Sequence, residues 1–246
     1  MQVYCNEKYI QSRAKLGRYA SFAGMGVLLV GLIITWSAGP EGLALSFLAL
    51  IGGFVLSQVG LYYANRFARP ERPDQVLAKS LKGFDDRYNL FQYTCPASNV
   101  LVTPSACWVF TVKMQRGPIR YQNGKWKNSQ GFRAFFLWLA SDSLGNPTKE
   151  AEIDADTLRR YVAKKLPGVE IPIQPVILFG NPTAEVDASG SPVPAIHYKK
   201  LKDWLRGPGK SGTLSAEAHD QLIELLSPPE AIIQPEQPDE EQSDQA

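Results

Sequence analysis

The sequence predicts an α/β (α+β) soluble domain with a mixed central sheet flanked by helices, preceded by a two-helix transmembrane hairpin. Within residues 19–65, two apolar segments carry no charge except Glu41 in the short turn between them. Each segment has about 20 residues, the length of helix that crosses a bilayer. Residues 70–226 then alternate between runs rich in Val, Ile and Phe and amphipathic runs of helical period, which is typical of an α/β core.

The hairpin divides the chain into four parts. Residues 1–18 are polar and basic, and a short helix on the membrane surface is expected there. Residues 19–65 are the hairpin, 70–226 are the soluble domain, and 227–246 are an acidic tail expected to be disordered. Basic residues flank the hairpin on both outer sides. Because such residues stay in the cytoplasm, we expect a multi-pass protein of the cell membrane with cytoplasmic N- and C-termini.

Small residues predict where the two apolar segments touch. Ala49, Gly53 and Ser57 recur at every fourth position of the second segment, and Gly24 and Gly31 lie in the first. Such faces let membrane helices approach closely, so they are expected to form the seam of the hairpin. A secretory signal is the alternative interpretation of the first segment, because residues 37–39 are small. The second segment follows at once, which favours a span.

Periodicity predicts the elements of the soluble domain. The expected strands are residues 88–93, 99–103, 107–113, 119–127 with a turn at Asn123–Gly124, 173–179 and 195–198. The expected helices are residues 74–81 with Asp74 as N-cap, 146–166, 200–205 and 215–226. An aromatic segment at residues 132–139 is expected to pack on the sheet.

Composition argues against several kinds of site. The formal net charge is +2, a balance that permits nucleic acid or anionic lipid as a partner without requiring either. The 3 cysteines lack CxxC spacing and there are only 2 histidines, which argues against a zinc site, a disulfide framework or a histidine-based triad. The sequence has no glycine-rich phosphate-binding motif, and no small-molecule cofactor is expected.

The soluble domain resembles the NERD (nuclease-related) domain, a branch of the PD-(D/E)XK nuclease-like fold. The matching features are the opening helix at 74–81, the strands at 100–104 and 108–113, a hairpin ending in Trp126, the helix opened by Asn146–Pro147, and a late strand at 176–179 followed by Asn181–Pro182. The resemblance implies metal-assisted phosphodiester cleavage. In that chemistry an Asp at the start of one core strand, and a Glu two residues before a Lys in the next, hold Mg²⁺.

At the matching positions this sequence departs from the motif. Ser98 stands at the Asp position with Asn99 beside it, Thr111 stands at the Glu position, and Lys113 is kept. Neutral hydroxyls hold Mg²⁺ poorly, so no catalytic residue and no metal ligand is assigned. The resemblance then implies a degenerate, catalytically inactive module that binds or scaffolds. Its candidate partners, besides the lipid bilayer, are nucleic acid and another membrane protein.

Two questions stay open at the level of sequence. Lys113, with Arg116 and Arg120 close by, is either a contact for nucleic acid or another anion, or a solvated charge at a strand end. The alternative functions are an active Mg²⁺-dependent nuclease with relocated ligands and an accessory subunit of a membrane complex. The relocated ligands would come from the following carboxylates: Asp85, Asp86 and Glu150.

Overall fold

The computed structural model describes residues 1–37, 39–128, 143–207, 209, 214–227 and 232–233. The helices are α1 (Glu7–Ser37), α2 (Leu43–Phe67), α3 (Pro73–Ser80), α4 (Pro147–Lys165), α5 (Leu201–Arg206) and α6 (Ala216–Leu226). The strands are β1 (Gln2–Cys5), β2 (Asn89–Gln92), β3 (Asn99–Val102), β4 (Cys107–Lys113), β5 (Gly117–Gln122), β6 (Lys125–Asn128), β7 (Ile173–Phe179), β8 (Ala184–Asp187), β9 (Ala195–His197) and β10 (Ile232–Ile233). The aromatic segment at 132–139 and most of the acidic tail lie outside the described residues.

The domain is built on a seven-stranded mixed sheet in the order β10-β1-β2-β3-β4-β7-β9. Strands β2, β3 and β4 are antiparallel neighbours, whereas β7 runs parallel to both β4 and β9. A second sheet has the order β6-β5-β8, and its turn at Asn123–Gly124 has the two positive φ values that an Asn-Gly hairpin requires. The mixed α/β class with a mixed sheet between helices is as predicted.

The central strands are buried on both faces, which explains their nearly continuous apolar sequence. Along β4, Cys107 and Val109 belong to the core on one face, and Trp108 and Phe110 to the core on the other. Helices α4 and α6 cover the first face, and α3 and α5 cover the second. Every second side chain of β4 therefore lies on the face of the sheet that α4 covers.

The chain termini depart from the sequence-based expectation. Residues 1–18 do not form a separate short helix: Gln2–Cys5 form β1 and pair in parallel with β2, and residues 7–18 are the first turns of the long helix α1. Ile232–Ile233, in the tail predicted to be disordered, pair with β1 as β10. Both strands are too short to stand out by periodicity, and each exists because an edge of the sheet offers it hydrogen bonds. The short strand β8 was not predicted either.

The two long apolar helices at the N-terminus, α1 and α2, have 31 and 25 residues. Both are long and apolar enough to cross a membrane, judged by length and composition. They pack side by side through the small residues that the sequence indicated, with Gly24 against Ser57 and Gly31 against Ala49. We call α1 and α2 together the helix pair.

The base of the helix pair is fastened to the domain by packing and by charge. Ile10, Phe67 and Tyr93 form one buried cluster. Asp74 is not the N-cap of α3, a position held by Arg72. The buried Asp74 carboxylate instead accepts from the Arg72 guanidinium at 3.0 Å, and Arg72 also pairs with Glu7 of α1 at 3.2 Å. Arg72 thus links the start of α1 to the start of α3.

Gly60→Ala should destabilise the helix pair, because a Cβ at Gly60 would lie 2.5 Å from the backbone nitrogen of Ser21. Overpacking of this kind costs about 1–3 kcal/mol. Gly52→Ala is the matched control, since no atom lies within 4 Å of a Cβ placed there. Thermal unfolding of the full chain in detergent should show a loss for Gly60→Ala only. Equal melting of the two variants would contradict the seam.

Candidate ligand-binding cavity at the base of the helix pair

A cavity of about 780 Å³ lies where α2 meets the end of β4 and the first turns of α4. Ligands of α/β proteins bind outside the carboxyl ends of the strands, and this cavity occupies such a place. Its volume falls within the range of roughly 300–1,000 Å³ that is typical of small-molecule sites. The polar and charged side chains on its wall include Gln58, Tyr62, Arg66, Arg69, Tyr93, Ser98, Asn99, Thr111, Lys113, Glu150 and Asp154.

The three positions that match the nuclease motif all lie on this wall. Strands β3 and β4 are antiparallel with Val100 opposite Val109, so the residue before β3 lies near the end of β4. Thr111 and Lys113 are two residues apart on β4 and share the face that α4 covers. The fold therefore brings Ser98, Thr111 and Lys113 together, although two of the three are hydroxyls.

Lys113 is a paired, largely buried cation. Its side chain is 12% exposed, and the ammonium donates to both carboxylate oxygens of Glu150 at 2.9 and 2.8 Å. It also donates to the backbone carbonyl of Leu144 at 3.0 Å. The interpretation of Lys113 as a solvated charge at a strand end is therefore wrong. Because an ammonium has three donors, these three bonds occupy Lys113 fully, and they neutralise Glu150.

Asp154 is a cavity residue that the sequence did not single out. It lies one helical turn after Glu150 on α4 and accepts a hydrogen bond from the Thr111 hydroxyl at 3.3 Å. Burial raises the pKa of Asp154, while Arg66 and the Thr111 bond act in the opposite direction. The spacing of four residues to Glu150 is the one signal in the sequence that could have identified it.

Arg66, at the last turn of α2, brings a positive charge that has only neutral acceptors. Its guanidinium donates to the Ser98 hydroxyl at 2.7 Å and to the Tyr62 phenol at 3.4 Å. Within the part of the chain that the structure describes, no carboxylate forms an ion pair with Arg66. Arg69 follows on the same wall and donates to Asn65 at 3.1 Å. Asp154 attracts Arg66 without a direct bond. A half-buried cation that is only partly compensated is costly, and an anion in the cavity would offset that cost.

Tyr93 forms part of the wall and is held in an unfavourable backbone conformation. Its φ is 56°, in the left-handed region, which costs a residue other than glycine about 1–2 kcal/mol. The cost is offset by packing, since its ring lies 5.4 Å from that of Phe67 and 5.7 Å from that of Tyr9. Burial raises the pKa of Tyr93 to about 12, so the phenol is neutral at physiological pH. Tyr93 thereby holds the helix pair against the cavity.

The donor set of the cavity does not fit the two-carboxylate Mg²⁺ site of the motif. Ser98 and Thr111 offer hydroxyls, and the Glu150 carboxylate is already bound by Lys113. Among the described residues, no three side chains of His, Cys, Asp or Glu are grouped so that they could hold a metal ion. Hard divalent cations need several oxygen ligands of this kind, so we derive no metal-dependent step here.

The remaining candidate residues lie elsewhere on the domain. Arg116 and Arg120 are exposed, and neither is among the described residues of the cavity wall. Lys113 thus lies on the cavity wall, and these two arginines lie outside it. Asp85 pairs with Arg87 at 2.6 Å, and Asp86 pairs with the N-terminal amine of Met1 at 2.9 Å, so both carboxylates have local partners away from the cavity.

No protein-family model, curated protein or solved structure matches this chain with significance. The resemblance to the NERD domain therefore stays a prediction, and the cavity has to be interpreted from its own geometry.

Asp154→Asn should raise the melting temperature of the protein at pH 7. Because the folded-state pKa of Asp154 is raised, the stability linked to this group is present at low pH and is lost as the pH rises through that pKa. A neutral asparagine removes this loss and can still accept from Thr111.

The advantage of Asp154→Asn should shrink as the pH falls through the raised pKa of Asp154 and should be gone below the ordinary pKa of aspartate. Asp156→Asn, an exposed position on the same helix, is the control and should show no such pH-dependent gain. A variant that melts at or below the wild-type temperature at pH 7 would contradict the burial of a charged Asp154.

Proposed function

We propose that this chain is a membrane-anchored, NERD-like protein whose cytoplasmic domain acts as a binding or scaffold module and not as a nuclease. The cavity at the base of the helix pair is its ligand site. The observation that carries the proposal is the state of the motif positions, where Lys113 is bound by Glu150 and the two acidic ligands are replaced by hydroxyls.

Insertion of the helix pair in a membrane is supported by its exposed surface. In the most apolar window of each helix only 17% of the residues are buried, whereas the core helix of a soluble protein would be covered. Large side chains such as Ile33 (65% exposed) and Leu48 (66% exposed) face outward. An apolar surface of this extent is not stable in water, and a bilayer would cover it.

A topology with both ends on one side is supported by the sheet. β1 precedes the helix pair, β2 follows it, and the two strands are hydrogen-bonded neighbours. The chain must therefore leave and re-enter the domain at the same end of the helix pair. Because basic residues flank that end, we place the domain in the cytoplasm.

Substituted cysteines test this topology in intact cells. Glu41→Cys, in the turn between α1 and α2, should react with a membrane-impermeant maleimide, and Lys127→Cys, in β6, should not. The native thiols should contribute little background, because Cys5 and Cys107 are buried and burial raises the pKa of Cys95 to about 11. Labelling of Lys127→Cys from outside would overturn the topology.

An active nuclease is the second candidate, and one observation favours it. Glu150 and Asp154 both reach the cavity from α4, so the domain does present two carboxylates beside the motif lysine. They come from a helix and not from adjacent strands. In the described geometry Glu150 is bound by Lys113, so this ion pair would have to break before a metal ion could bind.

The full chain in detergent, incubated with plasmid and single-stranded DNA over a range of Mg²⁺ and Mn²⁺ concentrations, should not cleave either substrate. The physical reason is that two hydroxyls and a neutralised carboxylate do not offset the desolvation of a divalent cation. Lys113→Ala should likewise show no cleavage of either substrate.

Metal-dependent cleavage that Lys113→Ala or Glu150→Gln abolishes would refute the binding-module proposal and establish the nuclease. Ser98→Asp combined with Thr111→Glu restores the motif acids. Calorimetry of that variant with Mg²⁺ shows whether the scaffold still aligns a metal site.

A further inference from the structure

We propose that the cavity binds the phosphate of an anionic phospholipid, which enters from the bilayer beside α2 and contacts Arg66. This inference rests on the proposed function, because it takes the helix pair to lie in a membrane.

The charge balance of the cavity points to an anion. The wall carries three cations, Arg66, Arg69 and Lys113, against two carboxylates, Glu150 and Asp154. Lys113 and Glu150 neutralise each other, and Asp154 attracts Arg66 without a direct bond. The direct hydrogen-bond acceptors of Arg66 are a serine and a tyrosine hydroxyl. A guanidinium can donate to two phosphate oxygens at once, and such bonds between charged groups are stronger than bonds to hydroxyls. A phosphate is therefore a better partner for Arg66 than those the chain supplies.

The position of Arg66 along α2 points to a lipid. Arg66 is the first charged residue after the apolar segment of α2, so in a membrane it lies at the level of the headgroups. Tyr62, one turn earlier on the same wall, is a residue type that favours this interface. Arg69 extends the basic wall toward the domain. The cavity thus opens at the depth where lipid phosphates are found.

Two apolar side chains extend the same wall toward the bilayer core. Phe54 of α2 is 45% exposed, and Ile153 of α4 is 51% exposed, and both line the cavity. Ile153 stands out because its neighbours Glu152 and Asp154 are acidic. Exposure to water gives the Ile153 side chain no stabilisation, whereas contact with an acyl chain would bury its apolar surface. A cation with an apolar path leading to it matches an amphipathic ligand.

Nucleic acid fits this cavity less well. A polynucleotide needs a row of cations along its backbone, and affinity depends on how many phosphates are neutralised. The exposed basic residues Arg120 and Lys127 lie opposite each other on the small sheet, separate from the cavity wall. The cavity itself offers Arg66 and its neighbour Arg69, which suits a single phosphate.

Native mass spectrometry of the full chain in detergent tests the inference directly. The probes are phosphatidylglycerol and phosphatidylcholine with identical acyl chains, and, in separate arms, glycerol 3-phosphate, inorganic phosphate and single-stranded DNA. Phosphatidylglycerol should be retained in preference to phosphatidylcholine. Arg66→Gln should weaken phosphatidylglycerol binding about tenfold to a hundredfold, as expected for the loss of a bond between charged groups. Arg120→Gln, outside the cavity, should bind as the wild type does.

Each other outcome overturns the inference. Equal retention of the two lipids, or wild-type binding by Arg66→Gln, removes the specific phosphate contact. Glycerol 3-phosphate or inorganic phosphate that binds as tightly as phosphatidylglycerol identifies a soluble ligand. Single-stranded DNA that displaces the lipid in a manner dependent on Arg66 identifies a nucleic-acid site.

The folding of the variants and the proposed function are checked separately. Thermal unfolding in lipid-free detergent shows whether Arg66→Gln is folded, and Arg69→Gln, located beyond the end of α2, serves if it is not. Loss of lipid selectivity with unchanged maleimide labelling and no DNA cleavage refutes the lipid inference alone. Altered labelling or metal-dependent cleavage refutes the proposed function.

Discussion

The hydrogen bonding of β1 to β2 is the constraint on which the rest of the structure depends. Along the sequence, α1 and α2 lie between two strands that are neighbours in one sheet. The helix pair is therefore an insertion within the domain and not a separate segment ahead of it. The pairing fixes the end of α2 against the start of β3, where Arg66 reaches Ser98. Without β1, the Arg72 bridge and the cluster around Tyr93 would be the remaining attachments, and the cavity would lose one wall.

The electrostatics of the cavity follow from that attachment. The domain alone contributes Lys113, Glu150 and Asp154 to the cavity wall. Lys113 and Glu150 form an ion pair, and the Asp154 carboxylate accepts a hydrogen bond from the Thr111 hydroxyl. Arg66, at the end of α2, and Arg69, just beyond it, add two cations to the wall. The addition of these cations to a wall that already holds one closed ion pair favours the capture of an anion over metal-dependent hydrolysis.

Local patterns predicted the elements well, and long-range pairing explains what they missed. The ends of β4 and β7 and the capping of α4 by Asn146 follow from nearby residues, so the sequence predicts them. β1 and β10 depend on partners far along the chain, and nothing in Gln2–Cys5 indicates such a partner. For the site, the motif counting located Ser98, Thr111 and Lys113 in one place. The roles of Asp154 and Arg66 depend on how α4 and α2 pack, which periodicity does not reveal.

A structure of the full chain in nanodiscs that contain phosphatidylglycerol is the most direct test of the central claim, that β1 holds the helix pair so that Arg66 meets a lipid phosphate in the cavity. The account predicts β1 paired with β2, the helix pair across the bilayer, and phosphate density within hydrogen-bonding distance of the Arg66 guanidinium. An Arg66 side chain in an ion pair with a carboxylate, or a cavity that excludes lipid while β1 stays paired, would contradict it.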